Sequence, residues 1–227
     1  MIKLMIAGRR CPGKTREEAQ RHLKLVHGPL VYNAPADAGA MPAAYAQNHV
    51  IDHPPEALAR GRGDCDLVTE VWFDSVGHLR EATSTPYYRE VLQPDEANFV
   101  DQVSVRAALV REGPRHGTEP PAAVRVFLFL KGQAAGPLTV EPAMAEAATA
   151  ALAYAIDTPL PPPDGTAPFA SVIVTFSFAD HDAARRFCAT ALPRLMDDLA
   201  PALDEPSSFH VLAEHYPVPR LRALAAA

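Results

Sequence analysis

Two short stretches of this chain concentrate side chains that can move protons. His27 ends a predicted helix, and Tyr45, Gln47 and His49 alternate along a predicted strand, so their side chains share one face. Imidazoles act as general bases near neutral pH, and a phenol or amide can stabilise a developing oxyanion. The competing interpretations are a helix C-cap for His27 and a solvent-facing surface for the strand.

The next predicted strand, residues 66–74, places a carboxylate and the only tryptophan of the chain on one face, while its other face is largely apolar. A carboxylate beside an indole is typical of a ligand cavity, where desolvation raises the pKa of the acid. The alternative is an exposed Glu70 at a sheet edge beside a partly buried Trp72. If the apolar faces of both strands lie under helices, one pocket is predicted with these lining residues: Tyr45, Gln47, His49, Glu70 and Trp72, with His27 at its mouth.

The elements around these residues follow from local patterns. Thr15 and Glu18 form a capping box that begins a helix, and Gly28 with Pro29 predicts its end after His27. The order of elements is β-α-β-β-α-β, the ferredoxin-like unit. The predicted strands are 2–8, 43–52, 66–74 and 103–111, and the predicted helices are 15–27 and 75–83.

The order is repeated after a turn-rich linker at 113–121, which divides the chain into domains at 1–112 and 122–227. The second half offers strands at 124–131, 169–178 and 208–216 and helices at 139–155 and 180–199. Its second strand must fall in the proline-rich stretch 156–168, where proline confines it to an edge. The fold class predicted from this repeat is α+β. In the last strand, the side chains of His210, Glu214 and Tyr216 share a face and are either edge residues or an addition to the site.

Composition excludes several classes of protein. The net charge of −6 argues against a nucleic-acid partner, and no apolar run reaches the length of a membrane span. Three scattered cysteines without paired spacing, and no signal-peptide pattern, predict a cytoplasmic protein with no zinc or other metal site. We expect a small-molecule partner and no cofactor.

Residues 1 to about 112 resemble the EthD family, through the order and spacing of His27-Gly28-Pro29, Trp72-Phe73-Asp74-Ser75 and Asp95-Glu96…Phe99. The second half resembles it poorly. The resemblance implies an α+β barrel, in which two ferredoxin-like sheets face each other around a cavity. The common family member closes this barrel by dimerisation, so either a homodimer or closure by the tandem halves is implied here. Asp95 and Glu96 themselves are expected to be helix-start or surface charges.

The superfamily to which the resemblance leads includes isomerases, cyclases, dehydratases, decarboxylases, cofactor-free oxygenases and haem enzymes. We therefore predict cofactor-free acid/base chemistry of a lyase or isomerase on a small aromatic, cyclic or polyketide-like metabolite. His49 or His27 would be the base, Tyr45 the hydrogen-bond donor to an enolate oxygen, and Glu70 or Gln47 the group that orients the imidazole. Tyr87 and Tyr88 would form a lid that stacks on the ligand. Alternatives are a binding protein without catalysis and an oxygenase, with or without haem.

Overall fold

The structure is a computed structural model that describes residues 1–52, 64–118, 123–133, 138–162 and 164–218. These residues divide into two compact units. The first contains residues 1–49, 64–107 and the end of the last strand from Tyr216 onward. The described residues of the second unit are 50–52 and those that fall within 108–215. Among the described residues, none of the helices has both the length and the apolar content needed to span a bilayer.

The first half of the chain has the ferredoxin-like strand order β4-β1-β3-β2, with β1 and β2 both antiparallel to β3. Its strands are β1 Ile2–Gly8, β2 Ala44–Ile51, β3 Leu67–Phe73 and β4 Arg106–Arg111. Its helices are α1 Arg16–His22, α2 Gly28–Tyr32, α3 Val76–Ser84 and α4 Gln93–Glu96, with π turns at Leu23–His27 and Tyr88–Leu92 and a 3-10 turn at Gln102–Ser104.

The second half repeats this order as β9-β6-β8-β7, with the short strand β5 beside β7. Its strands are β5 Arg115–Gly117, β6 Val124–Leu130, β7 Ala153–Pro159, β8 Val172–Phe178 and β9 Phe209–Val218. Its helices are α5 Ala145–Ala150, α6 His181–Ala189 and α7 Ala191–Leu199. The 3-10 turns are Glu141–Ala143, Ala200–Ala202 and Glu205–Ser207.

Two predicted elements of the second half were wrong in extent. The alanine-rich stretch 139–155 forms an α-helix only at α5, after a 3-10 turn at Glu141–Ala143, because from Ala153 onward alternate residues are buried in β7 against β8. Sheet pairing there overrides the helix propensity of alanine. The second strand therefore precedes most of the proline-rich stretch and ends at Pro159. The predicted linker contains β5, and its residues 119–121 lie outside the described residues.

The second unit has a solid apolar core between its sheet and α5, α6 and α7. Phe176 and Phe178 of β8 meet Phe187 of α6, with ring centroids 4.8 and 4.9 Å apart. All three side chains are almost fully buried, and they pack with Leu192 and other residues of α7. Apolar burial of this extent is the main source of stability for such a unit.

Candidate active site

A cavity of about 300 Å³ lies within the first unit, between one face of its sheet and its helices. The sheet side of the wall comes from alternate residues of β1 and β3, and the helix side includes residues of both π turns. Most of the lining is apolar. The residues of the lining that carry polar side chains are His27, Tyr45, Thr69, Thr83, Tyr88, Glu96 and Gln102. An apolar cavity with a few polar groups is the usual form of a small-molecule site.

Two π turns bring functional side chains to this cavity. The predicted helix end after His27 was wrong, because the helix continues from α1 through the first π turn into α2. Pro29 lies in the first turn of α2, directly after the first π turn. The first π turn ends at His27 and the second begins at Tyr88, and both residues line the cavity. Such π turns are frequent at functional sites.

Gly28 is needed for close packing rather than for ending the helix. Its φ of −54° is ordinary helical backbone. A Cβ at this position would lie 2.5 Å from Nε2 of Gln47, too close to be accommodated without a shift. The absence of a side chain therefore lets Gln47 reach the π turn, where its Nε2 donates to the carbonyl of Leu23 at 2.9 Å.

His27 is held by a carboxylate. Its Nδ1 lies 3.1 Å from Oδ2 of Asp95, and His22 Nε2 lies 2.9 Å from the other oxygen of Asp95. Burial lowers the pKa of His27 because it disfavours the imidazolium, and Asp95 offsets only part of this effect. Burial alone would raise the pKa of Asp95, but hydrogen bonds from His22, Asn98 and His27 outweigh it and lower that pKa. Asp95 is therefore ionised and accepts the Nδ1 hydrogen, so Nε2 of His27 is the nitrogen able to accept a proton.

A second titratable group, Glu96, lines the same cavity. Tyr88 donates its hydroxyl to Oε1 of Glu96 at 3.4 Å. Burial raises the pKa of Glu96, and the charge of Asp95 adds to this, against the opposing hydrogen bonds of Tyr88 and Gln102. Burial likewise raises the pKa of Tyr88 to about 12. The cavity thus shifts the pKa of His27 down and that of Glu96 up, and each shift favours the neutral form of the group.

Tyr45, Gln47 and His49 form a hydrogen-bonded row along β2. Nε2 of Gln47 lies 3.4 Å from the hydroxyl of Tyr45, and Oε1 of Gln47 lies 3.1 Å from Nε2 of His49. Tyr45 lines the cavity, whereas Gln47 and His49 are outside the set of residues that line it. The ring of His49 packs against that of Tyr216, with centroids 4.7 Å apart.

The predicted single pocket was wrong, because Glu70 and Trp72 lie on the opposite face of the sheet from Tyr45. The antiparallel register pairs Tyr45 with Val71 and Ala46 with Glu70. Directly paired residues share a face. The Tyr45 side of β2 therefore lies on the helix-covered side of the sheet. The polar side chains on this side form hydrogen bonds with one another and with the first π turn, and Tyr45 also borders the cavity.

Glu70 is part of a buried polar cluster on that opposite face. Its carboxylate lies 3.3 Å from Nζ of Lys3 and accepts from Nδ2 of Asn48 at 3.2 Å. Lys3 Nζ also lies 5.7 Å from the centroid of the Trp72 ring. The side chains of Lys3 and Glu70 are at most 2% exposed. Removing one partner of a buried pair of this kind is strongly destabilising, because the other charge is left uncompensated.

The two tyrosines predicted to form a lid have different positions. Tyr88 lines the cavity. Tyr87 is outside the residues that line it, and it donates its hydroxyl to the backbone carbonyl of Leu30 at 2.9 Å.

In β9, Glu214 lies 3.0 Å from His181 and His210 is fully buried in the second unit. Neither of these β9 residues, nor Tyr216, is among those that line the cavity.

Sequence reasoning missed Asp95 and Glu96, which were expected to be helix-start or surface charges. The signal that could have found them is the Asp95-Glu96…Phe99 step of the family resemblance. Phe99 packs against the His27 ring, with centroids 4.9 Å apart, and so completes the wall beside these carboxylates. The described residues include no group of three or more His, Cys, Asp or Glu side chains placed to hold a metal ion.

Solved structures of similar fold include an anthrone oxidase-like protein, at a TM-score of 0.65 and 11% identity over 96% of this chain and 93% of that one. A candidate monooxygenase from Fusobacterium nucleatum matches at 0.55 and 6% identity, over 94% and 91% of the two chains. A candidate monooxygenase from Lactobacillus acidophilus matches at 0.53 and 9% identity, over 96% and 95%.

These likenesses show the fold alone, and they confirm the predicted class, an α+β barrel of tandem ferredoxin-like repeats. No curated protein matches the chain. The family model of the EthD domain matches residues 11–103, which confirms the resemblance seen in the sequence. The first half of this chain therefore carries an EthD domain.

Proposed function

We propose that this protein is a cofactor-free acid/base enzyme, a lyase or isomerase that acts on a small aromatic, cyclic or polyketide-like molecule. The observation that carries the proposal is the pair of His27 and Glu96, two groups that burial favours in their neutral forms and that line one apolar cavity. The base is His27 rather than His49, because His49 is outside the residues that line the cavity.

In the proposed step, Nε2 of His27 removes a proton from a carbon next to a carbonyl group of the ligand. The electron pair of the broken C–H bond moves to the carbonyl oxygen, which gives an enolate. Asp95 stabilises the imidazolium that forms, and His22 holds Asp95 in place. Glu96 then supplies a proton to another atom of the ligand, which completes an isomerisation or assists the departure of water. Each such proton transfer contributes roughly 10²- to 10⁴-fold to the rate.

A cofactor-free oxygenase is the second candidate. The same proton removal would give an electron-rich carbanion able to react with dioxygen, and the structural neighbours are described as anthrone oxidase-like and as candidate monooxygenases. The two candidates share the base and differ in the fate of the enolate, which is protonated in one and oxidised in the other. A binding protein without catalysis would use the same cavity and leave the carbon-bound protons of its ligand in place.

Exchange of carbon-bound hydrogen for deuterium tests the shared step. Anthrone, 1-tetralone and 2-tetralone are incubated with the protein in D₂O under argon, and exchange is followed by NMR. We expect the wild type to accelerate exchange of at least one of these ketones, and His27→Ala to reduce that acceleration by at least about 100-fold. His181→Ala, which removes an imidazole of the second unit, is the control and should exchange like the wild type. Oxygen uptake when the same mixture is opened to air would identify the oxygenase.

Two outcomes would count against this function. If the wild type exchanges none of the three ketones faster than buffer does, the enzyme proposal fails and a binding protein remains. If His27→Ala exchanges as fast as the wild type, the base has been assigned to the wrong residue.

A further inference from the structure

The hydrogen bonds that Gln47 makes to Leu23, Tyr45 and His49 indicate which kind of ligand the cavity accepts. This inference rests on the proposed function, because that function selects the cavity as the site. We propose that Tyr45 presents its hydroxyl hydrogen to an oxygen of the ligand, with Gln47 and His49 as the positioning residues that hold it in this orientation. The ligand is then a ring that carries a ketone or enolate oxygen, and a hydrocarbon of the same shape is bound less tightly.

The orientation of the Gln47 amide is fixed on two sides. The backbone carbonyl of Leu23 can only accept a hydrogen bond, so the amide nitrogen of Gln47 must face it, at 2.9 Å. The amide oxygen then faces Nε2 of His49 at 3.1 Å, so that this ring nitrogen carries a hydrogen and donates it. A flipped amide would set its oxygen against the Leu23 carbonyl oxygen and lose that hydrogen bond.

This orientation decides which way the Tyr45 hydroxyl donates. The second hydrogen of the Gln47 amide nitrogen points to the hydroxyl oxygen of Tyr45, at 3.4 Å. An amide nitrogen cannot accept a hydrogen bond, so Tyr45 is the acceptor in this pair and keeps its own hydrogen for another partner. Among the described residues, Tyr45 makes no other hydrogen bond.

The cavity is where that partner would lie. Tyr45 is 3% exposed and lines the cavity, so a ligand oxygen bound there can meet its hydroxyl. A buried donor without an acceptor is costly, and a ligand oxygen would satisfy it. Burial also raises the pKa of Tyr45, which keeps the hydroxyl protonated and therefore able to donate.

The donor also fits the proposed chemistry. When His27 takes the proton from carbon, negative charge grows on the ligand oxygen, and an oriented donor stabilises that charge more than it stabilises the neutral ketone. Tyr45 and His27 both line the cavity, so one bound ring can meet both.

A matched pair of ligands tests the inference without requiring turnover. 1-Tetralone and tetralin have the same fused-ring skeleton and differ at one carbon, a carbonyl in the first and a methylene in the second, and the ketone has no donor of its own. Equilibrium dialysis gives the dissociation constant of each for the whole protein. We expect the wild type to bind 1-tetralone about tenfold more tightly than tetralin, as one hydrogen bond in a dry site allows. Tyr45→Phe should remove this preference by weakening only the ketone.

Two further variants separate position from packing. Gln47→Glu places an acceptor next to the Tyr45 hydroxyl, so the hydroxyl should turn toward residue 47 and the preference should fall although the phenol is still present. A merely structural loss would weaken both ligands alike. Tyr87→Phe is the control, because its hydroxyl donates to the Leu30 carbonyl and lies outside the lining set, and it should keep the wild-type preference.

The inference is overturned if the wild type binds both ligands equally, if Tyr45→Phe keeps the preference, or if the cavity takes up neither ring. Equal binding of both ligands by a protein that still exchanges ketone protons would leave the proposed function standing. A normal preference for 1-tetralone in a protein that exchanges no protons would refute the function and retain the inference.

Discussion

The two halves of this chain share a strand order and differ in what fills the space under the sheet. In the first unit the helix-covered face borders a cavity of about 300 Å³ with titratable groups in its wall. In the second unit the corresponding face is covered by a continuous apolar core built around Phe176, Phe178 and Phe187. The same strand order therefore borders a ligand-sized cavity in one half and a packed apolar core in the other.

Corresponding positions show how the sequence makes this difference. Ser75 caps α3 and Asp180 caps α6, two residues after the ends of β3 and β8. Counting back from these caps, Val71 of β3 corresponds to Phe176 of β8. The strand partner of Val71 is Tyr45, and the partner of Phe176 is Tyr154.

From these tyrosines the two neighbouring strands diverge. Two residues after Tyr45 stands Gln47, whereas two residues after Tyr154 stands Ile156, which packs against the core. The ring of Tyr154 stacks on that of His116, 4.6 Å away. Larger and more apolar side chains at a few positions thus put a packed core where the first half has a cavity, and Ile156 cannot make the hydrogen bonds by which Gln47 orients Tyr45.

The largest expected effect is a loss of stability when an aromatic ring is removed from the core of the second unit. Phe187→Ala should lower the free energy of unfolding by about 3–5 kcal/mol, because it removes a fully packed ring and leaves a cavity. Leu79→Ala in the first unit should cost only roughly 1 kcal/mol, because the deleted methyl groups already border empty space. Urea denaturation of the two variants measures both values. Equal costs would mean that the two units are packed alike and that the first is no more hollow than the second.

A smaller effect should follow from filling the cavity. Val71→Phe copies the residue of the second half into the first, so binding of 1-tetralone should weaken at least about tenfold while stability changes by no more than about 1 kcal/mol. Val126→Phe makes the same substitution in the solid core, where overpacking should cost about 1–3 kcal/mol. Dialysis and urea denaturation report the two effects. A large stability loss in Val71→Phe, or undisturbed ligand binding, would show that this space is not open to a ring.

The fold was largely predictable because its signals are local. Thr15 and Glu18 make both hydrogen bonds of the predicted capping box, at 3.1 and 2.7 Å, and each depends on only four residues. Strand alternation likewise placed β2 and β3 to within one residue at each end. The end of the alanine-rich stretch, which forms the start of β7, could not be assigned in this way. Its structure is decided by pairing with β8, and that strand lies about twenty residues further along the chain.

The site was only partly predictable because its geometry is not local. Alternation shows that Tyr45, Gln47 and His49 share a face, but which face of β3 they join depends on the pairing of Tyr45 with Val71. No residue pattern marked the π turns that bring His27 and Tyr88 to the cavity. Asp95 acts through a histidine 68 residues away in the chain, and such a pair is visible only in three dimensions.

The smallest expected effect is the pH dependence of stability contributed by His27, and it tests whether this imidazole is held neutral as a base must be. Burial lowers the pKa of His27 in the folded state below its unfolded value of about 6.5, so the unfolded chain binds a proton first as pH falls. The free energy of unfolding should therefore fall as pH drops below about 6.5, until pH passes the folded pKa, with no contribution from His27 above about 6.5.

Urea denaturation at pH 5, 6, 7 and 8 measures this fall, and His27→Gln should show a shallower one, because glutamine does not titrate. Asp95→Asn removes the group that raises the pKa of His27, so its fall should be steeper and continue to lower pH. If His27→Gln instead follows the wild-type curve at every pH, the imidazole is solvated in the folded protein. The cavity of the first unit would then lack the dry base that distinguishes it from the solid core of the second.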